Sequence, residues 1–524
     1  MSAEFKIPEE VLRILRVLRK AGYESYIVGG SVRDILRDEK PKDWDVTTSA
    51  KPEEILKLFP ESFYENKFLT VTVKTDSSAE ELKEIEITTF RSEGKYTDKR
   101  HPDKVNFAET LKEDLTRRDF TINAMALDVK SKSENPVFEL IDPFGGQNDL
   151  EKKIIRAVGS PKERFQEDAL RMLRAARFAA QLDFGIEEKT RGSVRKLSGG
   201  LEFIAKERIR EEFVKIIMAP QAKKGVELLR DTGLLKHIMP ELEEGIGIDQ
   251  RGPHKFQVWE HNLKALEYAC RQNWSLKVRL AALLHDVGKP RTRERRGGIW
   301  AFYGHDVVGA KMAFTILTRL CFSAKETENI ANLVRWHLFN YRLRRDDQFA
   351  ADMRAMGENP EEKDIEDSEE DTQDTTDSAI RRLIRRVGAE AMPDLVKVRV
   401  CDRIATGVPK AVPYRLRHFQ FRVEKILREG EATNVGMLKI RGGDIMEALS
   451  VSPGPKIGYV LDALLEEVLD EPEKNDKKYL FSRAKELGEK TDEELRRLRE
   501  QSRDKIGDME KNREEEIKKK YKVK

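Results

Sequence analysis

Two closely spaced carboxylates follow a glycine turn near the start of the chain. Asp43 and Asp45 are two residues apart, so on a strand both carboxylates lie on one face. Before them, Gly29 and Gly30 end an apolar run and lead to Arg33, a pattern that predicts a strand, a turn and a short helix. Such a turn lets backbone N–H groups approach a phosphate. Carboxylates beside a phosphate-binding turn predict a pair of Mg²⁺ ions and phosphoryl or nucleotidyl transfer. Either half alone is weak evidence, since a glycine pair commonly marks only a turn.

A third carboxylate lies in a segment with strand periodicity. The alternation over residues 84–89 places Glu84, Glu86 and Thr88 on one face. A carboxylate from a neighbouring strand would complete a two-metal site. A solvent-facing edge of acidic side chains would give the same pattern.

Two adjacent arginines, Arg117 and Arg118, precede Asp119 and a string that continues through Asn123. Two guanidiniums can bind triphosphate oxygens bidentately, and we expect Asp119 to hold one of them in place. The alternative is an ordinary cluster of charges at a helix start.

A helical pattern over residues 167–178 spaces Asp168, Arg171, Arg174 and Arg177 by three. A salt-bridged surface helix would show the same spacing. However, a carboxylate only accepts hydrogen bonds and a guanidinium only donates them, which matches the amino group and ring nitrogen of both cytosine and adenine. Uracil and guanine would meet such a pair with like polarity, at a kcal-scale penalty. An aspartate–arginine pair on this helix would therefore select CTP and ATP over UTP and GTP without a nucleic-acid template.

A second group of titratable residues follows in the chain. His285 and Asp286 are adjacent at the end of an apolar helical run, and a ring nitrogen beside a carboxylate suits Mn, Fe, Co, Ni or Mg. A lone histidine on an apolar helix is more often a core residue. Here further candidates occur at His261, His305, His337 and Asp402.

Length and composition limit the class of protein. A chain of 524 residues predicts several domains. Charged residues make up 37% of the chain, yet the net charge is only +3, so nucleic-acid affinity needs local basic surfaces. The three cysteines have no metal-clip spacing and are expected to be buried hydrophobes in a reducing compartment. With no signal-peptide pattern or membrane-length apolar run, we expect a cytoplasmic protein with no membrane partner.

The motifs of the first 215 residues resemble the DNA polymerase beta-like nucleotidyltransferase superfamily. The string Gly-Gly-Ser-Val-Arg-Asp at residues 29–34 is similar to that of class II tRNA nucleotidyltransferases and bacterial poly(A) polymerases. The resemblance implies transfer of CMP and AMP from CTP and ATP to the 3′ end of tRNA, with release of pyrophosphate. It implies that Asp43, Asp45 and Glu86 are catalytic and hold two Mg²⁺ ions. The implied nucleotide-binding residues are Gly29, Gly30, Arg33, Arg117, Arg118, Asp119, Asn123, Asp168, Arg171, Arg174 and Arg177.

The second group resembles the HD phosphohydrolase superfamily. That resemblance implies a metal site of His261, His285, Asp286 and Asp402, with His305 and His337 as further ligands. A transition metal or Mg²⁺ there would support a phosphomonoesterase or phosphodiesterase side activity on RNA ends.

We therefore expect an α+β protein with four parts. These are a catalytic head (1–150), a helical neck with the base-selecting helix (151–245), a helical HD-type domain (246–425) and a helical tail (426–524).

Residues 94–107 resemble a flexible loop that the family uses for the final adenosine addition. Residues 358–378 are acidic enough to predict a disordered insertion. The tail is expected either to contact the acceptor and T arm of tRNA or simply to pack as a helical hairpin, and DNA is not an expected partner.

Four functions stay open on the sequence. Full CCA addition is the preferred one, and an A-adding enzyme that completes tRNA ending in CC has nearly the same motifs. A poly(A) polymerase is disfavoured by the linked HD-type domain. A phosphohydrolase with a degenerate RNA-binding head is disfavoured by the intact Asp43, Asp45 and Arg33.

Overall fold

The computed structural model describes residues 7–65, 70–93, 105–130, 137–250, 255–296, 299–342, 354, 375–407 and 412–498. The chain forms two compact units, Met1–Glu243 with Arg319–Phe322 and Glu244–Thr318 with Ser323–Lys524. The predicted division into four parts stays a prediction. Most of the predicted acidic insertion, residues 358–374, lies outside the described residues.

A seven-stranded mixed sheet forms the centre of the first unit. The strands among the described residues are β1 Ser25–Val28, β2 Asp45–Thr48, β3 Ser62–Glu65, β4 Thr70–Lys74, β5 Glu84–Thr89, β6 Arg91–Glu93, β7 Val105–Phe107, β8 Ala126–Val129, β9 Phe138–Ile141, β10 Ile154–Ile155, β11 Gly185–Ile186, β12 Glu294–Arg296 and β13 Ile299–Ala301. The strand order in the sheet is β3-β4-β5-β2-β1-β8-β9. Together with the helices that follow, the sheet confirms the predicted α+β class.

The centre of the sheet is one parallel pair. Strand β2 runs parallel to β5, while β1 lies antiparallel to β2 on its other side. Alternating burial along β5 places Ile85 and Ile87 in the core and leaves Glu84 and Glu86 exposed. The end of the predicted flexible loop is a strand, because β7 pairs with β6; residues 94–104 lie outside the described part of the chain.

The helices of the first unit surround the sheet and continue beyond it. The helix Glu9–Lys20 buries an apolar stripe that includes Val11, Leu15 and Leu18, and the backbone then turns at Gly22, where φ is +93°. The others are Gly30–Leu36, Pro52–Leu58, Leu111–Thr116, Gly146–Glu151, Pro161–Glu167, Leu170–Leu182, Glu188–Leu197, Lys206–Ile217, Ala222–Asp231, Leu235–Ile238 and Pro240–Glu243.

The later part of the chain is mainly helical. No helix among the described residues is both long and apolar enough to cross a membrane. Cys270 and Cys401 are buried as expected, whereas Cys321 is only partly buried. The helices are Val258–Arg271, Leu276–Leu284, His305–Arg319, Ala324–Trp336, Asp377–Val387, Met392–Ala405, Tyr414–Arg428, Gly442–Leu449, Pro455–Asp470 and Lys477–Gly488.

The predicted tail contains a short helix, Gly442–Leu449, followed by a longer one, Pro455–Asp470. Arginines of the helix Asp377–Val387 pair with acidic side chains of the helix Pro455–Asp470. Arg385, for example, donates to Asp462 at 3.0 Å. Buried apolar residues such as Leu464 and Val468 pack the hairpin into a hydrophobic core, and its contact with tRNA stays a prediction.

Candidate active site and metal centre

Asp45 and Glu86 occupy paired positions at the centre of the sheet, on the parallel strands β2 and β5. Side chains at paired positions project from the same face. Asp43 is exposed and precedes β2, so only Asp45 of the predicted pair lies on the strand. Burial raises the pKa of Asp45 to about 6, and the charges of Asp43 and Glu86 add to this effect although Arg118 opposes it. A group of repelling carboxylates with oxygen donors only suits a divalent cation.

Gly29 lies where the backbone passes closest to these charges. Its φ is +81°, and a Cβ atom there would lie 3.1 Å from both Asp45 Oδ2 and Arg118 Nη1. A Cβ at Gly30 would lie 3.5 Å from Arg33 Nη2 and 3.9 Å from Asp43 Oδ1. The glycine turn, the carboxylates and two arginines therefore meet at one place.

Asn123 joins two of the predicted phosphate-binding arginines. Its side-chain oxygen accepts a hydrogen bond from Arg33 Nη1 at 2.8 Å, and its backbone oxygen accepts one from Arg118 Nη1 at 3.4 Å. Arg33 also donates to its neighbour Asp34 at 2.8 Å. Asn123 is almost fully buried, so it orients the two guanidiniums from beneath.

Asp114, not Asp119, holds the adjacent arginine pair. Its side chain is fully buried and lies 2.9 Å from Arg117 Nη2 and 3.5 Å from Arg118 Nη2. Burial alone would raise the pKa of Asp114, but the two guanidiniums hold it below its usual value. The expectation for Asp119 was wrong because its side chain faces another helix.

Asp119 instead links the sheet region to the helix Leu170–Leu182. It accepts a hydrogen bond from Arg174 Nε at 2.6 Å. Burial alone would raise the pKa of Asp119, but Arg174 holds it below its usual value. The pair fixes the helix relative to the arginine motif.

Asp168 and Arg171 are each held by a different charged partner. Asp168 lies before the helix, not on it: Oδ1 accepts from the Leu170 N–H at 2.9 Å and Oδ2 accepts from Arg208 at 3.0 Å. Arg171 donates to Glu167 at 2.6 Å and to the backbone oxygen of Arg117 at 3.2 Å. The helix begins at Leu170 because Asp168 has an extended backbone (φ −138°, ψ 107°) that ends the preceding helix Pro161–Glu167.

Three arginines surround the ring of Phe178. The guanidinium carbons of Arg33, Arg174 and Arg177 lie 5.6, 5.5 and 4.4 Å from its centroid. Arg177 also donates to the buried Glu212 at 2.9 Å. Arg177 thus serves the packing of the helix, and no contact of the described residues points it toward a nucleotide.

The second predicted group comes together completely. His261, His285, Asp286 and Asp402 are all buried, with one ligand atom from each within 4.8 Å of the others. The Nε2 atoms of His261 and His285 are 2.9 Å apart. Burial lowers the pKa of His285, but Asp286 and Asp402 outweigh it and raise the value to about 10. Two facing ring nitrogens beside two carboxylates need a proton or a cation between them.

A second set of ligand atoms shares Asp286 with the first set. It consists of Asp286, His305 and His337, again within 4.8 Å. The Nδ1 atoms of His305 and His337 donate to backbone carbonyls at 2.6 and 2.7 Å, which directs both Nε2 lone pairs inward. Those two Nε2 atoms are buried without a hydrogen-bond partner among the described residues. The six side chains therefore fit one or two metal ions.

Two basic residues support this cluster from outside. Lys289 Nζ lies 2.5 Å from Asp286 Oδ2 and donates to Gln250 at 2.6 Å. Arg399 donates to Asp402 at 2.8 Å. Both cations hold ligand carboxylates in place.

Three family models match the chain. They are "Poly A polymerase head domain" over residues 25–156, "Probable RNA and SrmB- binding site of polymerase A" over residues 183–246 and "HD domain" over residues 258–384. An A-adding tRNA nucleotidyltransferase of Deinococcus radiodurans is 34% identical over 374 residues, which cover 70% of this chain and 76% of that protein. The chain belongs to the tRNA nucleotidyltransferase family.

Other members of the family match over shorter stretches. A CCA-adding enzyme of Lactobacillus helveticus is 45% identical over 44% of this chain and 56% of its own length. The aligned part thus spans little more than half of that relative. Among solved structures, the CCA-adding enzyme of Bacillus stearothermophilus in complex with CTP has a TM-score of 0.62 and 26% identity, over 93% of this chain and 98% of that chain.

The structure adds six residues that the sequence motifs did not indicate as part of the two sites. They are Asp114, Glu167, Arg208, Glu212, Lys289 and Arg399. Spacing could have found those that lie three or four residues from their partners: Asp114, Glu167, Lys289 and Arg399. Arg208 and Glu212 act from a helix distant in sequence and gave no local signal.

Proposed function

We propose that the protein adds CMP and AMP from CTP and ATP to the 3′ end of tRNA. The observation that carries the proposal is the pairing of Asp45 with Glu86, beside the Gly29 turn and Arg118. Carboxylates on one face of the sheet, with the Arg118 guanidinium beside the glycine turn, provide for a metal-bound triphosphate. Family membership supports this reading, and we expect the protein to work in the cytoplasm.

The arginines would bind the triphosphate. Arg33 and Arg118 are oriented through Asn123, while Arg117 and Arg118 are held by Asp114. Because these cations are already oriented, phosphate binding requires little reorganisation. Pyrophosphate would leave toward the same guanidiniums, which stabilise the developing charge.

Asp43, Asp45 and Glu86 would hold magnesium ions. Two such ions would activate the 3′ hydroxyl of tRNA and neutralise the leaving pyrophosphate. Burial, with a smaller effect of the Asp43 and Glu86 charges, raises the pKa of Asp45 to about 6, and a bound cation would favour its ionised form.

Asp168 and Arg171 would select the base. Asp168 can accept from the amino group of cytosine or adenine, since each carboxylate oxygen has two lone pairs and Oδ2 uses one for Arg208. Arg171 would donate to the ring nitrogen. Arg208 and Glu167 set the positions of the two side chains, so a change in either would alter base choice without contacting the base.

Substitution of Asp45 tests the proposal directly. The full chain and its Asp45→Asn variant are incubated with a tRNA transcript lacking CCA and with labelled CTP and ATP. We expect incorporation by the parent and a loss of at least about a thousandfold in the variant. Equal incorporation by both proteins would refute the assignment of the catalytic carboxylates.

We propose a second activity, metal-dependent phosphate-ester hydrolysis at the histidine–aspartate cluster. The inward-facing Nε2 atoms of His305 and His337 favour it, because buried nitrogens without partners suit a metal. Metal would polarise the ester phosphate and supply a hydroxide nucleophile. Phosphate release from RNA ends that persists in both His285→Ala and Asp286→Ala would rule this activity out.

A further inference from the structure

A basic and aromatic segment lies directly between two parts of the histidine–aspartate cluster. Residues 289–303 contain five basic residues, one acidic residue and three aromatic residues, although the whole chain is nearly neutral. The segment forms the hairpin of β12 and β13, with Arg295 paired opposite Trp300. Neither the nucleotidyltransferase reaction nor the metal ligands account for this concentration of arginine and tryptophan.

Both ends of the hairpin are fixed to cluster residues. At one end, Lys289 lies 2.5 Å from Asp286. At the other, the backbone oxygen of Phe302 accepts from His305 Nδ1 at 2.6 Å, and the Phe302 ring lies 5.9 Å from Lys289 Nζ. Trp300 is two residues before Phe302, roughly 7 Å along an extended chain. The hairpin therefore lies beside the metal ligands.

The two strands of the hairpin and the residue before them bring together a ring and two guanidiniums. Trp300 is 37% exposed, and the guanidinium carbons of Arg293 and Arg295 lie 4.0 and 6.0 Å from its ring centroid. Arg291, by contrast, is held by Glu244 at 2.7 Å. Within the part of the chain that the structure describes, no ion pair joins Arg293 or Arg295 to a carboxylate. Nε of Arg293 is also buried without a hydrogen-bond partner.

We propose that this hairpin binds the terminal nucleotide of a single-stranded RNA 3′ end, with its base stacked on Trp300 and its phosphate held by Arg293 and Arg295. Unpaired bases stack on aromatic rings and on guanidinium planes, and arginine binds phosphate bidentately. A phosphate ester without a base would leave Trp300 unused. The proposal rests on the proposed phosphohydrolase activity and names its substrate class.

Binding by the metal-loaded full chain tests the proposal separately from catalysis. The probes are adenosine 3′-monophosphate, a trinucleotide with a 3′-phosphate and the base-free ester β-glycerophosphate. We expect Trp300→Ala to weaken binding of both nucleotide probes about tenfold and to leave β-glycerophosphate unchanged. Trp300→Phe should restore most of the loss. The control is Phe421→Ala, at a more exposed aromatic ring (61% exposed) on the helix Tyr414–Arg428, which should change nothing.

The outcomes separate this proposal from the activity on which it rests. If His285→Ala abolishes hydrolysis but Trp300→Ala affects all three probes equally, the hairpin proposal fails and the hydrolase stands. If no hydrolysis occurs but base-dependent binding through Trp300 persists, the hairpin is a nucleotide site and the hydrolase fails. Weakening of the trinucleotide alone would identify RNA rather than free nucleotide as the ligand. Full displacement of adenosine 3′-monophosphate by an Asp- and Glu-rich peptide, equally in parent and Trp300→Ala, would overturn the stacking role.

Discussion

Asp45 and Glu86 lie opposite each other on adjacent parallel strands, so their carboxylates share one face of the sheet. Asp43 adds a third negative charge and contributes to a pKa of about 6 for Asp45. Such an arrangement is unfavourable in the protein alone and becomes favourable when a divalent cation binds. The three carboxylates thus destabilise the metal-free protein and increase its affinity for a divalent cation.

Removing the Asp45 charge should stabilise the metal-free protein. The pKa of the Asp45 carboxyl is raised from 3.8 to about 6 in the folded state. The folded protein therefore loses stability as the pH rises from 3.8 to about 6, because the carboxyl must then ionise in an unfavourable site. In EDTA at pH 8 we therefore expect Asp45→Asn to melt a few degrees above the parent, on the order of 1–3 °C. Near pH 4 the difference should vanish. Thermal unfolding monitored by circular dichroism measures both.

Two comparisons control that experiment. Asp38→Asn changes an exposed acid in the left-handed region (φ +58°), which asparagine also adopts, and should leave the melting temperature unchanged. Mg²⁺ should raise the melting temperature of the parent more than that of Asp45→Asn. A parent that is more stable than the variant in EDTA at pH 8 would contradict the unfavourable burial and repulsion of the Asp45 carboxylate.

Crowding at Gly29 should affect activity beyond its effect on the backbone. Gly29→Ala places a methyl group 3.1 Å from Asp45 and Arg118, whereas Gly22→Ala meets nothing within 4 Å; both positions have positive φ. Each variant should reduce the free energy of unfolding by roughly 1–3 kcal/mol. Only Gly29→Ala should also reduce nucleotide addition, which we expect to fall at least about tenfold. Equal specific activity of the two folded variants would disprove the close approach.

Asp114 should act through the arginines that it holds. Asp114→Asn removes the buried charge between Arg117 and Arg118, so KM for CTP and ATP should rise together, about tenfold, with a smaller change in kcat. The free energy of unfolding should fall by about 2 kcal/mol. Glu113→Gln, at the exposed neighbouring position, is the control. A change in kcat alone would instead place Asp114 at the reacting atoms.

The sequence was sufficient to predict features whose signal is local. Alternation identified the exposed face of β5, whereas of Asp43 and Asp45, which their spacing placed on one strand, only Asp45 lies on β2. Asp119 was predicted to hold one of the neighbouring arginines, whereas the fold brings Arg174 Nε within 2.6 Å of its carboxylate. Arg208 is 40 residues from Asp168, so no periodicity could connect them. Local patterns thus indicated which charged residues belong to the candidate site, but not which of them form ion pairs with one another.

Asp168 should determine which bases are accepted. In Asp168→Asn the amide nitrogen can donate to the carbonyl oxygen of uracil, so the preference for CTP over UTP should fall at least about tenfold. The measurement is single-nucleotide addition to a tRNA transcript with each triphosphate in turn. Asp183→Asn is the matched control, since Asp183 follows the same helix, has φ +57°, and directs its exposed side chain to Lys224. Complete exclusion of UTP by Asp168→Asn would remove this residue from base selection.

The most direct test of the central claim uses three tRNA transcripts, ending before CCA, after C and after CC. Each is incubated with CTP and ATP, separately and together, and the products are resolved to single nucleotides. We predict that all three are completed to CCA and that addition then stops. Extension of the CC transcript alone, by one A, would indicate an A-adding enzyme, and unlimited A tails a poly(A) polymerase. Either of those results, or no extension at all, would contradict full CCA addition.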